Sequence, residues 1–401
     1  MTSPTSISIV RPVAALALAA VAAGCSRVRE GVRDVVERPL TPHARYARSL
    51  ERAGLDSTAL GREWLAAADT VLRAAHAVTL PHREAGAYVR DEARAVGWRV
   101  SLRDGERLVA RVRTQGERTT LFVDAFEVEG DTLAAFAHRA TATEDSATGE
   151  LVLRLEAARS APHVIRLQPE LLRAGRYDVE LRVEPTLAFP VPAVGPAAVQ
   201  SFWGAARDGG ARSHEGIDIF APRGTPVVAV VSGTVRSTSP NRLGGNVVWL
   251  ADGTRPQTLY YAHLDRVIAV AGQRVEVGDT LGFVGNTGNA MSTRPHLHFG
   301  IYRGGVGAVD PWPFVRPARG EPAAVRADTT VLGARAELGS AAAVRTAPED
   351  DAVVVRRAAA RAPVRIVGAA GRWHRVQLAD GTAGYVPSAV TRRVVTGDAT
   401  R

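Results

Sequence analysis

The sequence predicts a multi-domain, mainly β protein, and three observations carry that expectation: a length of 401 residues, short apolar runs cut by 38 glycines and 23 prolines, and helical spacing confined to an N-terminal stretch. Single cores rarely grow past ~300 residues, so a chain of this length divides. Short apolar runs punctuated by Gly and Pro read as strands and turns. The formal net charge of +9 comes from arginine alone, because the chain contains no lysine. These arginines are scattered among Asp and Glu rather than gathered in blocks, which gives no phosphate-binding stripe and excludes nucleic acid as a partner.

Residues 1–25 read as an export signal: Arg11, the apolar stretch Val13 to Ala23, then Ala22-Ala23-Gly24-Cys25, closed by the only cysteine of the chain. The apolar stretch, about eleven residues, is shorter than the ~20 needed to cross a bilayer. The small residues before Cys25 resemble a bacterial lipoprotein signal, although Ala22 stands where Leu is usual. That resemblance implies an acylated Cys25 that anchors an exported chain to a membrane facing the periplasm or cell wall; a plain cleaved signal is the alternative. No intrachain disulfide can form from one cysteine. Residues 26–41 are charged, contain Pro39 and lack an apolar period, as suits a tether.

From 42 to 97 a helical region is expected. Leu50, Leu55, Leu60, Trp64, Leu65 and Leu72 recur at three-to-five spacing, and a further helix is expected over Arg83 to Ala95. Residues 98–190 alternate, as in Leu121-Phe122-Val123, Glu150 to Leu155, His163 to Leu167 and Tyr177 to Val183, and predict a β-sandwich-like module. His43, His76, His82, His138 and His163 lack ligand spacing and read as surface or hydrogen-bonded histidines. Phe189-Pro190-Val191-Pro192 and Gly195-Pro196 mark a boundary. The glycine-rich, short-stranded stretch 191–316 follows, then an Ala/Arg/Pro-rich linker at 317–340. The last stretch, 341–395, holds short strands near Ala343-Arg345, Val353-Arg356, Pro363-Val367, Arg372-Leu378 and Ala383-Val386, suited to a small barrel.

Chemistry concentrates in 191–316. Of the ten histidines, His214, His263, His296 and His298 fall there, within Ser213-His214-Glu215-Gly216-Ile217-Asp218, Tyr260-Tyr261-Ala262-His263-Leu264 and Pro295-His296-Leu297-His298-Phe299-Gly300. On a strand, residues i and i+2 share a face, so His296 and His298 point together while Leu297 and Phe299 enter the core. Two imidazoles and a carboxylate are a set that holds Zn²⁺ with one position left open, whereas structural zinc sites close all four, usually with cysteines. The His214–Asp218 spacing is not the helical His-Glu-x-x-His motif: Gly216, Ile217 and Ile219 disfavour a helix. A loop entering a strand brings His214 and Asp218 together instead and turns Glu215 outward. A buried polar network or a structural metal site is the alternative reading of this cluster.

These residues resemble the lysostaphin and LytM type of zinc metalloendopeptidase, whose signatures are His-x-x-x-Asp and His-x-His. The likeness runs from about Val199 to Phe314 and includes Ala221-Pro222-Arg223-Gly224-Thr225-Pro226-Val227, Gly278-Asp279-Thr280-Leu281-Gly282 and Gly285-Asn286-Thr287-Gly288. It implies one zinc per chain bound by His214, Asp218 and His298, with His263 and His296 as unligated catalytic histidines. The implied fold is a compact, mostly antiparallel β-domain with the metal in an open groove. The implied substrate is peptidoglycan, cleaved at amide bonds of its peptides. Some members of this family have lost zinc ligands and regulate separate wall amidases; here the ligand set is complete.

The C-terminal stretch resembles a bacterial SH3-like domain through Val344-Arg345, Gly371-Arg372-Trp373-His374-Arg375-Val376, Asp380-Gly381 and Gly384-Tyr385-Val386. Trp373 and Tyr385 either contact wall polymer or fill the barrel, and filling is the favoured reading of Trp373. A wall-binding scaffold would explain this tail but not the histidines.

Overall fold

The computed structural model describes residues 39–394 apart from 117, 131–134 and 319. Cys25, the signal 1–25 and residues 26–38 of the expected tether lie outside the described residues. The chain forms two units, Met1–Arg48 and Ser49–Arg401. Helix Pro42–Arg52, whose first residues fall in the first unit and last residues in the second, begins behind Thr41, whose Oγ1 accepts from the amide of Ala44 at 3.1 Å. The second unit holds three successive β modules.

Helix Ala59–Arg73 is N-capped by Thr58, whose side chain accepts from the amide of Gly61. Its apolar stripe at i, i+4 and i+8, Trp64, Ala68 and Leu72, is buried. The Trp64 indole donates to the carbonyl of Pro169 at 2.8 Å and so fixes the helix to the sandwich that follows. One sandwich sheet runs His76–Ala77, Val96–Leu102, Ala161–Pro169, Leu121–Glu129, Ala135–Thr141; the other carries His82–Tyr88, Gly175–Pro185, Glu106–Gly116, Leu151–Glu156 and Thr143–Glu144. Period-two alternation sends Tyr177, Val179 and Leu181 inward against Trp98, Val100, Leu108 and Ile165.

Two expectations are corrected here. The stretch Arg83 to Ala95, expected as helix, is instead strand His82–Tyr88 followed by a turn. Pairing overrides propensity: the strand pairs with Gly175–Pro185 on one side and with Pro363–Ala370 of the C-terminal barrel on the other. Gly86 is required there, since a Cβ would lie 2.1 Å from the Tyr177 ring. The linker expected over 317–340 is in large part not free. Val325, Ala327 and Leu332 pack on the barrel core, and Arg335–Leu338 is a barrel strand pairing with Pro363–Ala370 and Thr391–Arg393.

The barrel strands Ala342–Arg345, Val354–Ala358, Pro363–Ala370, Trp373–Leu378 and Ala383–Pro387 stand where the sequence places them. Trp373 and Tyr385 are buried, so neither offers a surface to wall polymer. At the junction with the sandwich the fully buried Glu84 accepts from Arg375 at 2.8 Å, from the Tyr385 hydroxyl at 2.7 Å and from the Trp98 indole at 3.1 Å.

Between these modules in sequence lies the glycine-rich β-domain. Its sheet runs Val199–Ser201, Ile217–Phe220, His296–Arg303, Gln257–Val267, Asn246–Asp252, Gly233–Ser237 and Arg274–Val275. Its core joins Ile217, Ile219, Leu297, Phe299 and Ile301 to Val248, Leu250, Leu259 and Tyr261. One face of the central strands is thereby committed to packing, and the histidines stand on the other.

Candidate metal centre in an open groove

Antiparallel pairing of Ile217–Phe220 with His296–Arg303 sets Asp218 opposite His298 and Phe220 opposite His296. His298 and His296 project into the groove because Leu297 and Phe299 between and beside them are wholly buried. His214 sits before the strand, its amide donating to the carbonyl of Ala205 at 2.8 Å. Gly216 must be bare: a Cβ there would lie 2.5 Å from the Phe299 carbonyl and 2.6 Å from Cε1 of His298. That bare position lets the His298 ring lie across the entering chain.

The result is a triangle of donor atoms. His214 Nε2, Asp218 Oδ1 and His298 Nδ1 are each 3.0 Å from the other two. His214 Nδ1 faces the Phe202 carbonyl at 2.9 Å; donating its proton there leaves the Nε2 lone pair aimed at the triangle's centre. Burial alone would raise the Asp218 carboxyl, but hydrogen bonds and charge from His214 and His298 hold it well below the usual carboxylate range. Burial lowers His298 against the opposing pull of Asp218. Donor atoms of two imidazoles and a carboxylate that converge in this way need a shared proton or a cation between them, and the set of two nitrogens and one oxygen fits Zn²⁺.

The other two histidines flank this triangle. The His263 ring centroid is 5.0 Å from that of His296 and 5.9 Å from that of His298. His263 Nδ1 lies 2.9 Å from the Thr287 carbonyl and His296 Nδ1 lies 2.8 Å from the Arg294 carbonyl, which fixes both rings and leaves each Nε2 free of that role. His296 also stacks on Phe220 at 5.0 Å. His263 has φ 63°, a left-handed conformation that a residue with a side chain rarely holds, at a register shift within strand Gln257–Val267. Burial first, then the neighbouring His296 and His298, pushes His263 down to about 4, so its ring is neutral near pH 7.

The groove has a volume of about 620 Å³. One wall is aromatic, with Trp249 and Tyr260 centroids 4.2 Å apart and Tyr302 5.3 Å from Trp249. Glu215 is exposed, as expected, though its Oε2 is 3.4 Å from the Tyr302 hydroxyl at the groove edge. The five residues singled out from sequence, His214, Asp218, His263, His296 and His298, are therefore brought together. His43, His82 and His163 are buried rather than on the surface; His82 lies 3.3 Å from Glu84 and His163 Nδ1 lies 3.0 Å from the Ala161 carbonyl. Sequence reasoning misses Arg207, whose Nη2 donates to Asp218 Oδ2 at 2.5 Å and to Ser201 Oγ at 2.7 Å. Its only local signal is the turn Gly209-Gly210 that folds a hairpin back toward His214.

Fold and donor set together define a mostly antiparallel β-domain with a two-histidine, one-carboxylate centre in an open groove. Residues 212–311 match Peptidase family M23 and residues 339–392 match the Bacterial SH3 domain. Residues 212–311 are thus a Peptidase family M23 domain, of the lysostaphin and LytM type. It is 38% identical over 140 residues to the L-Ala--D-Glu endopeptidase of Bacillus subtilis, covering 32% of this chain and 43% of that protein. It is 38% identical over 95 residues to the peptidoglycan DD-endopeptidase ShyC of Vibrio cholerae, covering 24% of this chain and 21% of that protein. The chain spans less than half the length of these curated relatives. Among solved structures it is similar to the catalytic domain of the antimicrobial peptidase lysostaphin from Staphylococcus simulans, with 32% identity, a TM-score of 0.26, and coverage of 28% of this chain and 87% of that one.

Proposed function

We propose that this protein is a zinc-dependent endopeptidase that hydrolyses amide bonds in the peptides of bacterial peptidoglycan. The observation that carries this reading is the convergence of His214 Nε2, Asp218 Oδ1 and His298 Nδ1 beside two further histidines in one groove. Those three residues would hold the metal. When bound, zinc supplies Lewis acidity that makes water acidic enough to attack near neutral pH and polarises the scissile carbonyl.

The protein's own side chains supply proton transfer. His263 is neutral and anchored through Nδ1, so its Nε2 can take or deliver a proton at the reacting group; His296, anchored in the same way, is the second such group. Whichever of the two carries a proton as negative charge builds on oxygen stabilises that charge. The groove, about 620 Å³ in volume and lined on one side by Trp249, Tyr260 and Tyr302, has room for part of a peptide. The similarity to an L-Ala--D-Glu endopeptidase and a peptidoglycan DD-endopeptidase supports a wall peptide as substrate.

Metal content tests this reading. Purified protein is expected to carry about one zinc per chain, and chelation is expected to abolish wall hydrolysis, which zinc restores. Full activity without bound metal would contradict it. We also propose that Cys25 is acylated and tethers the exported chain to a membrane facing the wall; each buried CH₂ contributes roughly 0.8 kcal/mol, so several chains give a lasting anchor. No described helix is long and apolar enough to cross a membrane. Equal release of wild type and Cys25→Ser into the soluble fraction of a bacterial host would rule the anchor out.

A further inference from the structure

We infer that Arg207 is a positioning residue for the metal centre: it captures the outer oxygen of Asp218, so that only Oδ1 is presented to the ion. This rests on the zinc-site reading above. Asp218 offers two oxygens, and they have separate partners. Oδ1 lies in the triangle with His214 and His298, whereas Oδ2 accepts from Arg207 Nη2 at 2.5 Å. The carboxylate is 9% exposed and the guanidinium 33%, which places the pair at the groove wall rather than on an open surface where ion pairs contribute little.

The surrounding chain makes this contact specific. Arg207 lies on the two-stranded hairpin Ala206–Arg207 and Arg212–Ser213, closed through Gly209 at φ 67° and Gly210 at φ 98°. In that hairpin Ala206 pairs with Ser213, the residue before His214, so the register that places Arg207 also places a metal-site histidine. Arg207 donates to Ser201 Oγ at 2.7 Å, and that oxygen is 3.3 Å from His214 Nδ1. One guanidinium therefore orients the carboxylate directly and touches the support of His214. A planar fork with several donors suits two acceptors in different directions; an ammonium meets them less well.

The prediction is a loss of metal affinity that grades with the donor. Zinc affinity of the full chain, measured by chelator competition, is expected to fall ten- to a hundredfold in Arg207→Met, the range found when groups that orient metal ligands are removed. Arg207→Lys, which keeps a charge and one donor for Oδ2, is expected to recover part of that loss. Cobalt-loaded protein gives a readout independent of turnover: freeing Oδ2 permits a second Asp218 bond, and visible absorption weakens as coordination rises above four. Arg207→Gln, with thermal unfolding of the metal-free proteins alongside, serves if Arg207→Met does not fold. Wild-type affinity and an unchanged cobalt spectrum in a folded Met or Gln variant would overturn the positioning role. So would unchanged affinity with a raised KM, which would make Arg207 a substrate contact. Wild-type protein that takes up no zinc would instead overturn the metal-site reading on which this depends.

Discussion

Three of the groove residues are separated from the other two by what a metal would ask of them. His214, Asp218 and His298 each turn a donor atom to one point, whereas His263 and His296 stand beside it with Nδ1 held by a backbone carbonyl. Removing a flanking histidine should therefore leave the metal in place. His263→Ala and His296→Ala are expected to retain zinc and lose ~10²- to 10⁴-fold in turnover, the usual worth of acid–base assistance. His298→Ala is expected to lose zinc as well. Metal analysis beside single-turnover kinetics separates these outcomes, and an empty site in His296→Ala with a full one in His298→Ala would reverse the assignment within the pair. The His-x-His pair is legible in the sequence because period two is a local property of strands. His263 is legible only through the family likeness, since its left-handed turn and its approach to His296 arise from long-range pairing. Arg207 is not legible at all, because its contact with Asp218 depends on how a hairpin folds back.

Elements place the site through the spaces they leave as much as through the side chains they carry. The entering strand passes close to His298 because Gly216 has no Cβ. Gly216→Ala would force the His298 ring or the Phe299 carbonyl to move; the carbonyl belongs to a wholly buried residue of the central strand, so the ring at the groove is the one displaced. The expected outcome is a folded protein with zinc affinity reduced by roughly ten- to a hundredfold, measured by chelator competition. Wild-type affinity in that variant would show that His298 does not need the cleared space. The strand His82–Tyr88 teaches the opposite lesson about elements. Its Arg, Glu and Ala favour helix, yet it lies between strands Gly175–Pro185 and Pro363–Ala370 of one sheet, whose pairing settles its conformation, and no local pattern announces that.

At the scale of the whole molecule, the strand His82–Tyr88 makes the sandwich and the C-terminal barrel share one sheet, with Glu84 held by Arg375 and Tyr385 from the barrel and by Trp98 from the sandwich. The barrel's buried Tyr385 is committed to this junction rather than to solvent. Arg375→Met would leave a buried carboxylate without its cation and is expected to destabilise the protein by ~3–5 kcal/mol, read as a lowered Tm. Glu84→Gln combined with Arg375→Met should recover much of that loss. Equal Tm values for Arg375→Met and wild type would show that the two modules do not depend on this junction.

The measurement that tests the central claim most directly is digestion of purified peptidoglycan by the zinc-loaded protein, with the released fragments identified by mass spectrometry. New peptide amino and carboxyl ends at one type of amide bond, glycan strands left uncut, and no release by His298→Ala are expected. Cleavage confined to the glycan, no cleavage of wall peptides by zinc-loaded wild type, or undiminished peptide cleavage by metal-free His298→Ala would contradict that claim.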